Sequence, residues 1–323
     1  MLIWAIFHGT VKMLPNNTYF TIVGPTASGK TSLAIEVAKK INGEIIGLDS
    51  RQIYKGMEIG TAQPSKQERD GVIHHLIGCL DPWIRISAGQ YAKKIHEKIH
   101  EIENNGKVPL ICGGAGLYYR SITMGLFEES STNIKIRKSL ETIYKKSPEA
   151  LMKKLQLIDP EYAEIVHINN RQRLVRALEI YQITGKPPTK HFKNQKKNNQ
   201  LKLFTIYLDW ERSTLNKRIV IRAKDMISNG WFDEAKSLYD KQDKSKIKYP
   251  ALNSIGYSQI IKFFKGKINK SELEESIIIE TRQFAKKQSQ WFAKEKLDLI
   301  LKMDGLKLRT LPEILYCILV AKQ

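Results

Sequence analysis

Cysteine, acidic residues and long hydrophobic runs are all scarce in this chain of 323 residues. The three cysteines, Cys79, Cys112 and Cys317, are far apart in the sequence and odd in number, which excludes a disulfide framework and a four-thiolate zinc site. The longest apolar run near the start, Met1 to Phe7, is much shorter than a membrane-spanning helix and follows no basic segment. We therefore expect a cytoplasmic protein with no membrane partner.

The scarcity of acidic residues leaves a large positive charge. The chain has 53 Lys and Arg against 33 Asp and Glu, a formal net charge of +20. The electrostatic field of such an excess of positive charge favours a polyanionic partner. The alternative is that these charges only form an ordinary solvated surface. The apolar fraction of 42% excludes a disordered chain, and the length suffices for about two domains of roughly 150 residues each.

Short apolar runs alternate with amphipathic helical patterns along much of the chain. The pattern predicts strands at residues 19–23, 44–48, 108–112 and 201–208, and helices at residues 30–41, 88–103, 215–228, 231–239 and 271–294. Alternation of this kind is typical of an α/β fold with a parallel sheet flanked by helices. Residues 19–127 and 201–323 are therefore predicted to form the core domain.

Residues 128–200 interrupt this alternation, because they are rich in Lys, Asn and Gln and show only helical periodicity. We interpret them as an inserted all-helical domain. Its clearest helix, at residues 171–184, ends at Gly185, and residues 191–200 are interpreted as the linker back to the core. Residues 1–18 are interpreted as an N-terminal extension, with Met13 as an alternative start.

A phosphate-binding motif lies between the first predicted strand and the first predicted helix. It matches G-x-x-x-x-G-K-[ST] and comprises Gly24, Pro25, Thr26, Ala27, Ser28, Gly29, Lys30 and Thr31. Backbone N–H groups of such a loop surround phosphate oxygens, Lys30 neutralises their charge, and the Thr31 hydroxyl suits a Mg²⁺ ion. The motif does not distinguish a nucleoside triphosphate from another diphosphate.

Asp49 follows the second predicted strand. The carboxyl ends of parallel strands bring their loops into one crevice, so we expect Asp49 to face the phosphate loop. It is a candidate for a second Mg²⁺ ligand, for a general base, or for a plain cap at the end of the strand. The pattern alone leaves these three roles open.

Six segments carry a recognisable pattern, at residues 24–31, 49–62, 113–118, 172–179, 255–257 and 281–288. Together, and in this order along the chain, they resemble the tRNA dimethylallyltransferase family in its bacterial form. Phosphate loops are common to many families, whereas the stretch at residues 49–62 is specific to this one. No zinc-finger tail like that of some eukaryotic relatives is recognised.

The resemblance implies a P-loop NTPase-like parallel sheet with an inserted helical tRNA-binding domain. It also implies transfer of a dimethylallyl group from dimethylallyl diphosphate to N6 of the adenosine on the 3′ side of the anticodon, in tRNAs that read codons starting with U. The implied partners are dimethylallyl diphosphate and the tRNA anticodon stem-loop, and the implied cofactor is Mg²⁺. A monomer is expected.

The resemblance also assigns roles to individual residues. Asp49 is the implied general base, and Arg222, which follows Arg218 by four residues, is the implied second cation for the diphosphate; two exposed arginines on one helix face are the alternative. The residues implied to contact tRNA are Asp49, Ser50, Arg51, Gln52, Ala115, Arg137, Gln172, Arg173, Leu174, Val175, Arg176, Gly256, Tyr257, Arg282 and Lys287. For Gln172, Arg173 and Arg176, the alternative is solvated polar residues on a core-packed helix.

The chain departs from the family pattern at two positions. Ala115 replaces the usual Thr after the paired glycines, and Ala293 replaces an Arg whose contact Lys294 is a candidate to supply. Loss of one hydrogen bond to an uncharged group is worth about 0.5 to 1.5 kcal/mol. We therefore still expect activity.

Three other hypotheses remain. His96, Glu97 and His100 match the H-E-x-x-H pattern of zinc proteases, but the sequence offers no third ligand nearby. A P-loop kinase of small molecules or nucleotides shares the loop and the sheet, but it gives no account of residues 49–62. Free AMP is an alternative acceptor for the same chemistry, against which the large positive charge argues for tRNA.

Overall fold

The computed structural model describes residues 17–125, 133–193, 200–306 and 310–320. The chain forms two compact units, one from Met1–Thr123 with Leu201–Gln323 and the other from Met124–Gln200. The predicted insert, residues 128–200, falls within the second unit, but its predicted start lies outside the described residues. The predicted N-terminal extension also lies outside them, except for residues 17 and 18.

The first unit is built on a parallel sheet that has six strands within the described residues, in the order β3-β2-β4-β1-β5-β6. The strands are β1 Thr18–Val23, β2 Gly43–Leu48, β3 His74–His75, β4 Val108–Gly113, β5 Lys202–Asp209 and β6 Leu299–Lys302. The predicted parallel sheet is confirmed, although the two short edge strands β3 and β6 were not predicted.

Helices cover both faces of this sheet. Before the insert they are α1 Lys30–Lys40, α2 Lys66–Arg69, α3 Ala88–Asn104 and α4 Gly116–Thr123, and after it α10 Arg212–Ser228, α11 Trp231–Ser245, α12 Tyr257–Phe264, α13 Lys270–Phe292 and α14 Leu311–Val320. A short 3-10 helix, Pro250–Asn253, precedes α12. Within the described ranges, no helix combines the length and the apolar character needed to cross a membrane.

Alternating side chains of the strands feed two apolar cores, as the pleat of a β-sheet requires. Ile46 and Ile111 belong to the larger core, which includes the buried face of α3, whereas Ile45 and Leu110 belong to the core that includes α1 and α14. The strand ends align, since Val23 pairs with both Gly113 and Tyr207 and Leu48 pairs with Gly113. The loops that follow β1, β2, β4 and β5 therefore leave the sheet at one edge.

The second unit is helical. Its helices are α5 Ile134–Lys146, α6 Pro148–Ile158, α7 Pro160–Ile165, α8 Arg171–Thr184 and α9 Pro188–Lys193. Leu140, Leu155, Leu174 and Leu178 form part of its own apolar core. The predicted linker is wrong for residues 191–193, because α9 continues through them and buries His191; residues 194–199 of that linker lie outside the described residues.

Candidate active site

The phosphate loop joins β1 to α1, as the motif predicts. Gly29 adopts φ 89° at the helix N-cap, a left-handed conformation that is unfavourable for residues with a Cβ atom. The loop's peptide groups thereby stand at the N-terminus of α1, where unpaired N–H groups and the helix dipole favour an anion.

Three side chains from distant elements hold the phosphate loop by its backbone. Trp210 Nε1 donates a hydrogen bond to the Ser28 carbonyl at 2.9 Å, and Arg218 Nε donates one to the Ala27 carbonyl at 2.8 Å. The guanidinium of Arg218 also lies over the Trp210 ring, 4.5 Å from its centroid. The third side chain, Gln288 on α13, contacts the loop at Thr26. Sequence reasoning assigned no role to Trp210 or Gln288, since only their distant contacts show one.

Two cations meet at the loop. Lys30 Nζ donates a hydrogen bond to the Pro25 carbonyl at 2.7 Å, and burial lowers the pKa of Lys30 to about 8, with the Arg222 charge acting in the same direction. Arg222 approaches the Thr26 hydroxyl at 3.5 Å, and burial lowers its pKa as well. Arg218 and Arg222 are both half-buried, so the alternative of two exposed arginines is wrong.

Asp49 occupies the end of β2. Its Oδ1 accepts hydrogen bonds from the backbone N–H groups of Arg51 at 2.7 Å and Gln52 at 3.2 Å. The buried Tyr91 hydroxyl donates to the Gly47 carbonyl at 2.6 Å, which fixes the strand just before Asp49. The Asp49 carboxylate also acts electrostatically on Lys30 and Arg222, tending to raise the pKa of each. Asp49 therefore both caps the end of β2 and provides an acidic group beside the phosphate loop.

Hydrogen bonds close the loop at residues 49–62 and tie its second half to α11. Gln52 Nε2 donates hydrogen bonds to the carbonyls of Thr61 at 3.1 Å and Ala62 at 2.8 Å. Glu234 on α11 accepts hydrogen bonds from the backbone N–H groups of Ile59 at 2.7 Å and Gly60 at 2.8 Å. The loop is therefore an ordered part of the crevice.

Glu234 also accepts a hydrogen bond from the Tyr257 hydroxyl at 2.6 Å. Burial raises the pKa of Glu234, and its three hydrogen bonds oppose that rise. A Cβ atom at Gly60 would lie 1.9 Å from Trp231 Nε1, so only glycine fits where the loop passes α11. Sequence reasoning did not identify Glu234, whose acceptor role depends on residues far away in the chain.

The residues predicted to contact tRNA fall into distinct environments. Ser50, Arg51, Gln52 and Ala115 are half-buried at the ends of β2 and β4, and Gln172, Arg173, Arg282 and Lys287 are exposed. Arg137 and Arg176 both bind the fully buried Glu179 carboxylate, at 2.6 and 2.7 Å. The structure buries Leu174, Val175, Gly256 and Tyr257. For these four a contact with tRNA stays a prediction, and the structure shows that they pack in the interior.

The H-E-x-x-H pattern does not form a metal site in the described part of the chain. Tyr91, Ile95 and Ile99 form the buried face of α3, as predicted. The His100 side chain is 75% exposed and lies 3.9 Å from Glu103. Among the described residues, no group of three or more His, Cys, Asp or Glu could hold a metal ion.

Comparison with known proteins gives one consistent family. A family model described as IPP transferase matches residues 52–295. A tRNA dimethylallyltransferase of Bacillus subtilis is 41% identical over 273 residues, covering 84% of this chain and 86% of the relative. The corresponding protein of Hydrogenovibrio crunogenus is 37% identical and covers 90% of each chain.

Solved structures agree with these relatives. The tRNA isopentenylpyrophosphate transferase of Bacillus halodurans superposes with a TM-score of 0.69 at 33% identity, covering 95% of this chain and 97% of that one. A eukaryotic dimethylallyltransferase acting on tRNA superposes with a TM-score of 0.81 at 26% identity, covering 95% and 81%. The family model and the relatives each cover most of this chain. This chain therefore belongs to the IPP transferase family, whose members include the tRNA dimethylallyltransferases.

Proposed function

We propose that this protein transfers a dimethylallyl group from dimethylallyl diphosphate to N6 of the adenosine on the 3′ side of the anticodon, in tRNAs that read codons starting with U. The names of the relatives support tRNA prenyl transfer and do not favour a kinase. The observation that carries the proposal is the Asp49 carboxylate, which the Arg51 N–H holds at the end of β2, on the sheet edge from which the phosphate loop also leaves.

The phosphate loop holds the diphosphate of the donor. The N–H groups at the N-terminus of α1, Lys30 and Arg222 neutralise the charge that the diphosphate gains as the allylic C–O bond breaks. No nucleoside triphosphate is needed, because the dimethylallyl donor already carries diphosphate as its leaving group.

The loop also fits a Mg²⁺ ion bound together with the donor. Magnesium is usually held by one or two protein oxygens, several waters and substrate phosphates, so no cluster of carboxylates is required. The Thr31 hydroxyl, at the start of α1, is the protein ligand in this proposal. When bound, the ion supplies further neutralisation of the departing diphosphate.

Asp49 is the general base. The exocyclic amine of adenine is a weak nucleophile, since its lone pair is delocalised into the ring. As N6 forms its bond to the allylic carbon and the C–O bond to diphosphate breaks, the amine proton moves to the Asp49 carboxylate. The products are N6-dimethylallyladenosine in tRNA and free diphosphate.

The excess positive charge serves the tRNA. Arg173 and Gln172 on α8 and Arg282 and Lys287 on α13 are exposed and available to the anticodon stem-loop. In this proposal Arg51, beside Asp49, contacts the target base, which must be splayed out of the anticodon loop to reach the crevice. The enzyme then works as a monomer in the cytoplasm, where its tRNA substrate is found.

The test is incubation of the full chain with labelled dimethylallyl diphosphate, Mg²⁺ and either unmodified tRNA or AMP. We expect label in tRNA, with N6-dimethylallyladenosine identified by nucleoside mass spectrometry and an equal amount of diphosphate released. Label in AMP alone would overturn tRNA as the acceptor. Phosphorylation of a small molecule by ATP without prenyl transfer would favour the kinase.

A further inference from the structure

Gln288 connects two loops of the candidate active site. It lies on α13 with only 6% of its surface exposed. Its Oε1 accepts a hydrogen bond from the Thr26 N–H in the phosphate loop at 2.8 Å, and its Nε2 donates one to the Gly114 carbonyl after β4 at 2.9 Å. One buried amide thus joins the loops that follow β1 and β4.

The fit around this amide is tight. A Cβ atom at Gly114 would lie 2.3 Å from Gln288 Nε2, so glycine is required for the amide to come this close. Among side chains of this length, only the glutamine amide offers one acceptor and one donor at its tip. A carboxylate would place an acceptor against the Gly114 carbonyl, and an apolar side chain would leave both backbone groups unpaired.

The link continues to Asp49. The backbone N–H groups of Gly114 and Ala115 both donate to the Leu48 carbonyl, each at 3.1 Å. Leu48 is the last residue of β2 and directly precedes Asp49. A continuous path of hydrogen bonds and one peptide bond therefore runs from Thr26, through Gln288 and Gly114, to the residue that bears the candidate base.

We propose that Gln288 is a positioning residue that fixes the phosphate loop relative to Asp49, and so fixes the allylic carbon of the donor relative to the group that accepts the amine proton. The inference rests on the proposed function. Both ends of the Gln288 amide are occupied by backbone groups, so its proposed role is to position the loops and not to contact a reactant. A misplacement of about 1 Å between reacting groups lowers a rate by up to about a hundredfold.

The test is a double-mutant cycle of Gln288→Leu with Asp49→Asn. Single-turnover rates are measured with tRNA and labelled dimethylallyl diphosphate and normalised to the fraction of protein that binds the donor. In the wild-type background we expect Gln288→Leu to lower the rate on the order of 10- to 100-fold, with the Kd for tRNA unchanged. In the Asp49→Asn background the same change should have little further effect, since residues that act as one unit are not additive.

The matched control is Gln290→Leu, which changes an exposed glutamine on the same helix and should leave the rate unchanged. If Gln288→Leu does not fold, Gln288→Glu keeps the acceptor for Thr26 and tests the link to Gly114 alone, with the same expected loss. Equal losses in both Asp49 backgrounds, or a normal rate in the Gln288 variants, would overturn the positioning role. Absence of prenyl transfer by the wild-type enzyme would instead overturn the proposed function itself.

Discussion

Asp49 Oδ1 accepts a hydrogen bond from the backbone N–H of Arg51 at 2.7 Å. This hydrogen bond holds the carboxylate at the end of β2 through one of its two oxygens, Oδ1. Within the described residues no hydrogen bond to Oδ2 is found, so the second oxygen remains for a proton acceptor role. The capping and catalytic interpretations of Asp49 are therefore compatible, and a variant that keeps the cap can separate them.

Donor binding should depend on pH through Lys30. Because burial lowers the pKa of Lys30 to about 8, the free enzyme loses this positive charge as pH rises through that value. A bound diphosphate favours the charged form, so binding above the pKa takes up one proton. We expect the Kd for dimethylallyl diphosphate to be flat below about pH 8 and to weaken by up to about tenfold per pH unit above it.

The measurement is a calorimetric titration of dimethylallyl diphosphate at constant Mg²⁺ concentration across this range. Lys30→Met should bind the donor more weakly and should lose most of the pH dependence. A wild-type Kd that does not change through pH 8 would show that Lys30 does not provide the titrating charge.

Glu234→Gln should destabilise the first unit. The carboxylate accepts hydrogen bonds from the N–H groups of Ile59 and Gly60 and from the Tyr257 hydroxyl. An amide has one oxygen, so at least one buried donor is left unpaired, which costs about 1 to 3 kcal/mol of unfolding free energy. Urea unfolding measures the change, and Asp233→Asn at the neighbouring exposed position is the control; equal stability of the two variants would contradict the anchoring role.

Alanine substitutions of Arg173 and Arg176 should have different effects on tRNA binding and thermal stability. Arg173 is exposed, so Arg173→Ala should weaken tRNA binding and leave thermal stability unchanged. Arg176 binds the buried Glu179 carboxylate at 2.7 Å, so Arg176→Ala should lower the melting temperature, because a buried charge loses a partner. Filter binding and thermal unfolding separate the two, and the reverse pattern would mean that their roles are exchanged.

Salt should weaken the binding of tRNA much more than the binding of dimethylallyl diphosphate. If the excess positive charge contacts tRNA phosphates, log K for tRNA falls steeply with log salt concentration, whereas affinity for the small diphosphate changes much less. Arg282→Ala should reduce the tRNA slope by about 1. Equal slopes for tRNA and dimethylallyl diphosphate would contradict the assignment of the surface charge.

Local patterns were enough to predict the parallel sheet, the phosphate loop and the bounds of α8. The short edge strand β3 comprises only two histidines, which an apolar pattern does not signal, and it exists through pairing with β2. Leu174 and Val175 lie in a segment that resembles a tRNA-binding one, yet helical periodicity turns them towards the core. Gln288 was beyond sequence reasoning, since its two partners are 262 and 174 residues away.

We propose that the crevice at Asp49 performs the prenyl transfer. The most direct test of this proposal is the single-turnover rate of Asp49→Asn with tRNA and dimethylallyl diphosphate, because asparagine keeps an oxygen for the Arg51 N–H but cannot accept the amine proton. We predict a rate about 10²- to 10⁴-fold below wild type, with tRNA affinity and thermal stability retained. A rate close to wild type would show that Asp49 is not the general base.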